Sequence, residues 1–300
     1  MTRTRTLFFC LDCGNESVRW EGRCPACSAW NTMTEAPSAA DVGRGGGRPN
    51  GGGRGGNGGG ARRAAPVVAE ALGSGRGAGQ ARLPSGIAIV DHVLGGGFVP
   101  GSLLLLGGAP GIGKSTLLLQ LAARVQAAKQ RVLYASGEES RDQVGLRAAR
   151  IGGGASELPF VATDRIEDVL AAAEAAGPAL LCIDSVQTIS AGDAGTAGGV
   201  TQVRACAAAA QEFAKRTGTA VVLVGHVTKG GALAGPRTLE HLVDVVLHFD
   251  GQRAGEFRLL RSSKNRFGAT DEIAAFRMGA SGLEPVEDPA GLFLGDRPAG

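Results

Sequence analysis

The chain has 300 residues, with 31 Lys or Arg against 28 Asp or Glu and a net charge of +3. An apolar fraction of 43% with only 20% charge excludes a wholly disordered chain, and no run of about 18 apolar residues exists to form a membrane-spanning helix. Glycine supplies 50 residues, against a usual ~7%, and its uneven spread divides the chain.

The basic start MTRTRTLFFC has neither a long apolar run nor a small-residue cleavage site. No secretory leader is expected, and the expected compartment is the cytoplasm. Residues 1–34 hold four of the six cysteines, as Cys10-x-x-Cys13 and Cys24-x-x-Cys27, and both tryptophans. Two such knuckles bring four thiolates within reach of one tetrahedral ion. Disulfides are the competing reading. They are disfavoured because no export signal is present and because Cys182 and Cys206 fall in the expected core of the following domain. About 30 residues cannot fold on hydrophobic burial alone, whereas Zn²⁺ binding worth ~10–16 kcal/mol supplies the difference. The reading is a four-cysteine zinc module. Trp20 and Trp30 are expected to form its miniature core, with stacking on bases as the alternative. Whether the module grips DNA, a partner or a neighbouring subunit stays open.

Residues 35–82 form the expected linker. The stretch 43–60, GRGGGRPNGGGRGGNGGG, has no hydrophobic residue and cannot offset its backbone entropy by burial. It carries Arg44, Arg48 and Arg54, followed by Arg62 and Arg63, and no acid. This is either a solvated tether or a strip that touches nucleic acid backbone.

Residues 83–283 read as an α/β domain with a mostly parallel sheet, because apolar runs of strand length alternate with helical patterns. Residues 103–106 are one strand, followed by a Gly-rich turn and a helix over 114–130. Residues 131–136 (RVLYAS), 180–184 (LLCID) and 220–225 (AVVLVG) are three more strands. Residues 244–250 and 256–261 lack an intervening helix and predict an antiparallel tail to the sheet. From Glu284 onward, Pro, Gly and Asp predict a poorly ordered tail. Cys182 and Cys206 are expected to be buried small hydrophobes with no activated thiol nearby.

Chemistry concentrates at the turns. Gly108-Ala109-Pro110-Gly111-Ile112-Gly113-Lys114-Ser115 fits G-x-x-x-x-G-K-S after a strand and before a helix, the context in which this loop wraps phosphates. Its backbone N–H groups, with Thr116 next in the helix, would bind ATP. Lys114 would reach the β/γ-phosphates and Ser115 would ligate Mg²⁺. Asp184, ending a buried strand expected beside the loop's strand, is the candidate second Mg²⁺ anchor, a strand-end cap being the alternative. Glu138 is the preferred candidate to polarise the attacking water. Glu139 is a lesser one, and helix N-terminal carboxylates are the alternative for both. His226, after AVVLVG, is a candidate γ-phosphate sensor or a structural histidine. The basic loop 229–237, with Lys229 and Arg237, is a candidate DNA contact, and 190–199 is a second flexible loop. Both should leave the P-loop edge of the sheet. Lys264-Asn265-Arg266-Phe267-Gly268 is either a solvated turn or a set of fingers acting on the next subunit's nucleotide.

Taken together, CLDCGNESVRWEGRCPACSAWNT, LPSGIAIVDHVLGGGFVPGSLLLLGGAPGIGKSTLLLQ, LYASGEES, IDSVQT, GHVTKGGALAGPR and SSKNRFG resemble the bacterial RadA (Sms) family, in order, from about Phe9 to Gly268. The resemblance implies a RecA-like core that forms homo-hexameric rings with ATP, Mg²⁺ and Zn²⁺ as cofactors. It implies binding of single-stranded and branched DNA, branch migration or unwinding, and work beside a RecA-type recombinase. It carries the nucleotide and hydrolysis roles onto Lys114, Ser115, Asp184 and Glu138, the junction role onto Lys264 and Arg266, and the zinc role onto Cys10, Cys13, Cys24 and Cys27. It also implies a Lon-protease-like domain from near residue 285. The chain stops at Gly300, so 284–300 is expected to be only its start. The rival reading is an ATPase switch of similar core that acts on a protein partner.

Overall fold

The computed structural model describes residues 8–10, 16, 17, 19–25, 30, 32–35, 81–192, 198–226, 238–251 and 257–286. They fall into two units, one N-terminal and one containing residues 81–286.

The N-terminal unit is a small antiparallel sheet of β1 (Phe8–Cys10), β2 (Glu16–Ser17) and β3 (Met33–Glu35), in the order β2-β1-β3. Cys10 pairs with Met33 across it. The bridge between Arg23 and Trp30 brackets the second cysteine knuckle.

The large unit is a nine-stranded sheet with helices on both faces. In chain order it has α1 (Ala88–Leu94), β4 (Leu103–Gly108), α2 (Lys114–Ala127), β5 (Val132–Ser136), α3 (Arg141–Ile151), β6 (Phe160–Ala162), α4 (Ile166–Ala176) and β7 (Leu180–Asp184). It continues through α5 (Val200–Thr217), β8 (Ala220–His226), α6 (Thr238–Leu242), β9 (Val245–Gly251), β10 (Phe257–Asn265), β11 (Ile273–Gly279) and β12 (Gly282–Pro285). The strand order is β12-β11-β10-β9-β4-β8-β7-β5-β6. No helix among the described residues is long and apolar enough to cross a membrane.

The leucine run of β4 explains its central place. Leu103 and Leu105 join one core with α4, α5 and α6, while Leu104 and Leu106 join the other with α1, α2 and α3. A strand buried on both faces needs apolar residues at every position, and all six of its residues are buried. Cys182 and Cys206 are buried as expected. Burial pushes the Cys182 thiol far above its ordinary value and the Cys206 thiol up to about 11.

Three sequence expectations need correction. The antiparallel tail holds in the pairing of β9 with β10, but it begins one strand later than expected, because β9 is also parallel to β4 on its other side. The short helix α6 supplies the crossover in place of a long helical pattern. The strand of Asp184 is not beside the P-loop strand, because β8 stands between them. The described core also runs on to 286, since Leu283 is buried and β12 pairs with β11 through the position expected to open the tail.

One buried carboxylate ties the start of the central strand to the antiparallel part. Asp244 Oδ2 accepts from Leu103 N at 3.0 Å, and Oδ1 accepts from Arg266 Nη1 at 3.0 Å. Its own N–H donates to Leu103 O at 2.8 Å. Asp244→Ala orphans the buried Leu103 N–H and is expected to cost about 1–3 kcal/mol in urea unfolding. An unchanged midpoint would contradict this role.

Candidate nucleotide site and metal module

Parallel register brings four strand tips into line. Gly108 pairs with His226 on one side and with Phe249 on the other, while Ser136 pairs with Asp184 two strands further on. These tips share one edge of the sheet, where open α/β folds bind ligands.

The residues 108–115 bridge β4 to the N-terminus of α2. Gly113, at φ +112°, precedes Lys114, the first helical residue. Lys114 is buried, and its Nζ donates to the carbonyls of Gly108 and Ala109, both at 3.0 Å. Burial pushes its ammonium below the ordinary lysine value, while the Asp184 and Glu138 carboxylates pull it back up. A cation held against its own loop, beside helix N–H groups, can follow phosphates that enter the loop.

Asp184 ends β7 and is buried. Burial raises its carboxyl above the usual range, and hydrogen bonds from Ser115 and Tyr134 oppose that rise. The Tyr134 hydroxyl donates to Asp184 Oδ2 at 2.9 Å. The expected pair of Mg²⁺ ligands, Ser115 and Asp184, thus touch each other although β4, which leads into the P-loop, and β7 are not neighbours. A hydroxyl and a carboxylate so paired are oxygen donors that suit Mg²⁺.

Glu138 and Glu139 lie in the turn after β5. Both N–H groups donate to Ser136 Oγ, at 3.3 and 3.0 Å. The side chains then part. Glu139 is engaged in a two-pronged ion pair with Arg147 of α3, whereas Glu138 is exposed. Glu138 lines a cleft of about 380 Å³ with Gly111, Gly113, Lys114, Ser115 and Met278. Thr116, Glu139, Arg147 and Arg150 also line it. Tyr134, Arg147 and Met278 were absent from the sequence reading. The only signal nearby was the S-x-x-Q pattern at Ser140 and Gln143, which forms a reciprocal cap on α3.

The pentapeptide 264–268 lies elsewhere. Asn265 pairs with Val245, and Val245 pairs with Leu104, four positions before Gly108. At about 3.3 Å per residue that is ~13 Å along β4 from the P-loop, at the opposite edge of the sheet. Lys264 Nζ donates to Val243 O at 2.7 Å and also to Glu240 O. Asn265 Nδ2 reaches Leu94 O at 3.4 Å, at the end of α1, and Asn265 Oδ1 accepts from Phe267 N at 2.9 Å. Arg82 donates to Phe267 O at 2.6 Å. Gly268 packs against Gly95. Arg266 pairs with Asp244, yet half of its side chain is exposed.

Lys229 and Arg237 lie outside the described residues, as do 193–197 of the other candidate loop. The flanks of that loop are tied down: Ser190 bonds Asp164 O, and Ala191 N donates to Gln202 Oε1 at 2.7 Å.

In the N-terminal unit Cys10 and Cys24 are both buried, and Cys10 Sγ lies 3.1 Å from Thr32 Oγ1. Cys13 and Cys27 lie outside the described residues. Two buried thiols from two knuckles fit the donor set of a thiolate metal site. The tryptophans do not form the expected miniature core, for Trp20 is 57% exposed and Trp30 70% exposed. Trp20 Nε1 is satisfied by Met33 O at 3.2 Å, and Arg23 stacks over Trp30 at 5.8 Å.

Known proteins resemble both units. Residues 80–232 match the family described as an AAA domain, and residues 8–35 match the rubredoxin metal binding domain. The chain is 46% identical over 303 residues to the DNA repair protein RadA of Brucella abortus, covering 99% of this chain and 63% of that protein. It is 46% identical over 302 residues to the RadA of Mycobacterium tuberculosis strain H37Rv, covering 99% and 60%. Against the RadA of Bacillus subtilis it is 41% identical over 302 residues, covering 100% and 64%. The chain therefore spans about three fifths of the length of these relatives. Among solved structures, the RadB recombinase superposes with a TM-score of 0.53 at 21% identity, covering 68% of this chain and 100% of that one, a likeness of fold.

The raised Asp184 carboxyl has a consequence for stability. Between its unfolded and folded values the folded state holds the extra proton, so stability falls as pH rises through that window. Above the window the buried charge remains a standing cost in the metal-free protein. Asp184→Asn keeps the shape and an acceptor for Tyr134. It is expected to unfold at higher urea than the parent at neutral pH without Mg²⁺, with the gap narrowing on acidification. An equal or lower midpoint at neutral pH would contradict this.

Proposed function

The chain belongs to the RadA family, RecA-like ATPases that carry an AAA domain and a metal-binding ribbon, and on that premise we propose that it is an Mg²⁺-ATP-dependent DNA motor. It binds single-stranded and branched DNA and drives branch migration or unwinding during recombination and repair. One observation carries the reading: Lys114 with Ser115, Glu138 and Asp184 converge at one sheet edge from three separate segments of chain.

In this reading the loop N–H groups and Lys114 hold the phosphates of ATP. Ser115 and Asp184 would hold Mg²⁺, which would supply charge neutralisation at the phosphates. Glu138 accepts a proton from the water that attacks the γ-phosphorus. The bond from that phosphorus to the bridging oxygen breaks, and ADP departs. Glu139 is bound to Arg147 and does not serve as the base. His226, whose backbone pairs with Gly108, would sense the γ-phosphate.

Lys264 and Arg266 serve a different nucleotide, that of the next subunit in a homo-hexamer. What supports this is their distance from their own P-loop and the half-exposed guanidinium of Arg266. Lys264 would have to exchange its two carbonyl partners for a phosphate. In the N-terminal unit Cys10, Cys13, Cys24 and Cys27 would hold Zn²⁺, and the exposed indoles face a partner, DNA or the recombinase.

Lys114→Ala is expected to abolish ATP hydrolysis while single-stranded DNA still binds. DNA affinity of the parent should fall steeply between roughly 50 and 200 mM salt, as backbone contacts require. Parental turnover in Lys114→Ala would overturn the site. Failure of the parent to bind single-stranded DNA at low salt would overturn the motor.

A further inference from the structure

The turn between β5 and α3 presents two adjacent carboxylates, and the fold uses them differently. Arg147 Nη1 lies 2.5 Å from Glu139 Oε2, and Nη2 lies 2.7 Å from Oε1. Both side chains are largely buried, at 21% and 25% exposure. The planar fork of Arg fits a carboxylate in a single orientation, so the pair fixes an angle as well as a distance.

The rest of the turn is held from two sides. On the strand side, Ser136 Oγ accepts from the N–H groups of Glu138 and Glu139, and Gly137 N donates to Asp184 O at 3.1 Å. On the helix side, Ser140 and Gln143 close the reciprocal cap. Those bonds fix the backbone at the ends of the turn. The Glu139 side chain fastens its middle to the second turn of α3. Between these fastenings stands Glu138, in the same cleft as Lys114 and Ser115.

We propose that Arg147 is a positioning residue for hydrolysis: by clamping Glu139 it holds the turn that aims the Glu138 carboxylate into the cleft. The proposal rests on the reading of Glu138 as the base. It explains why a second acid sits beside the first without sharing its work. It also explains why the arginine belongs to a helix that packs on the core, through Val144 and Ala148. The electrostatics agree. Glu138 and Glu139 both act on the buried Asp184, and a cation locked onto Glu139 removes one of the three negative charges crowding the site.

Arg147 also lines the cleft, so direct contact with nucleotide is the competing role. Steady-state ATP turnover separates the two. The variants are Arg147→Ala, Glu139→Gln, the double variant and Arg147→Lys, with Glu138→Ala as the reference for the base. Positioning predicts that Arg147→Ala and Glu139→Gln each lower kcat about 10- to 100-fold with KM near the parental value. The double variant should be no worse than the poorer single, and Arg147→Lys should recover part of the loss. Glu139→Gln is nearly isosteric, so its effect does not hinge on a cavity, and urea midpoints show that each variant is folded. A raised KM in Arg147→Ala with parental kcat in Glu139→Gln would overturn the proposal in favour of nucleotide contact. Parental kcat in both would overturn it outright. Parental kcat in Glu138→Ala would sink the reading of the base itself, and the proposal with it.

Discussion

The pairing of β4 between β8 and β9 is the constraint on which the nucleotide site depends. At Gly108 the chain passes so close to its neighbour that a Cβ there would stand 2.4 Å from the Phe249 carbonyl oxygen. Only glycine lets the last residue of the central strand lie flat between two parallel partners. Gly113, with φ at +112° and Met278 pressing on it, lets the loop turn at once into α2. Lys114 then begins the helix within reach of the carbonyls of Gly108 and Ala109. Everything at this edge is measured from that loop, including the contact between Ser115 and Asp184.

Much of this was legible in the sequence because the relevant signals are local. The leucine run 103–106 could only be a strand covered on both faces, and the spacing of Gly108, Gly113, Lys114 and Ser115 admits few other uses. What stayed hidden is tertiary. Nothing in LLCID says that β8 will insert between Asp184 and the P-loop strand, because strand order follows from crossover handedness and helix packing. The five-residue α6 was too short to leave a helical period, so the parallel pairing of β9 with β4 stayed hidden while its antiparallel pairing with β10 did not. Trp20 and Trp30 looked like core by residue type, but a sheet with strands of two and three residues leaves both on the surface. The Tyr134 hydroxyl and the Arg147 fork reach partners 50 and 8 positions away, beyond any short-range pattern.

The two ends of the sheet hold different chemistry, and Asp244 joins them. It bonds the first residue of β4 and, through its other oxygen, Arg266. The P-loop sits at the far end of that strand. In the proposed ring, each nucleotide would lie at a junction of two chains. The loop, the proposed metal ligands and the proposed base would come from one chain, and Arg266 from the next.

The direct test of this division is complementation in mixed assemblies. Lys114→Ala keeps an intact pentapeptide, and Arg266→Ala keeps an intact P-loop. Each alone should turn over ATP far more slowly than the parent, and mixing the two should restore part of the activity, because some junctions then pair a whole P-loop with a whole Arg266. Parental turnover by Arg266→Ala alone, or a mixture no faster than its two components, would contradict the account.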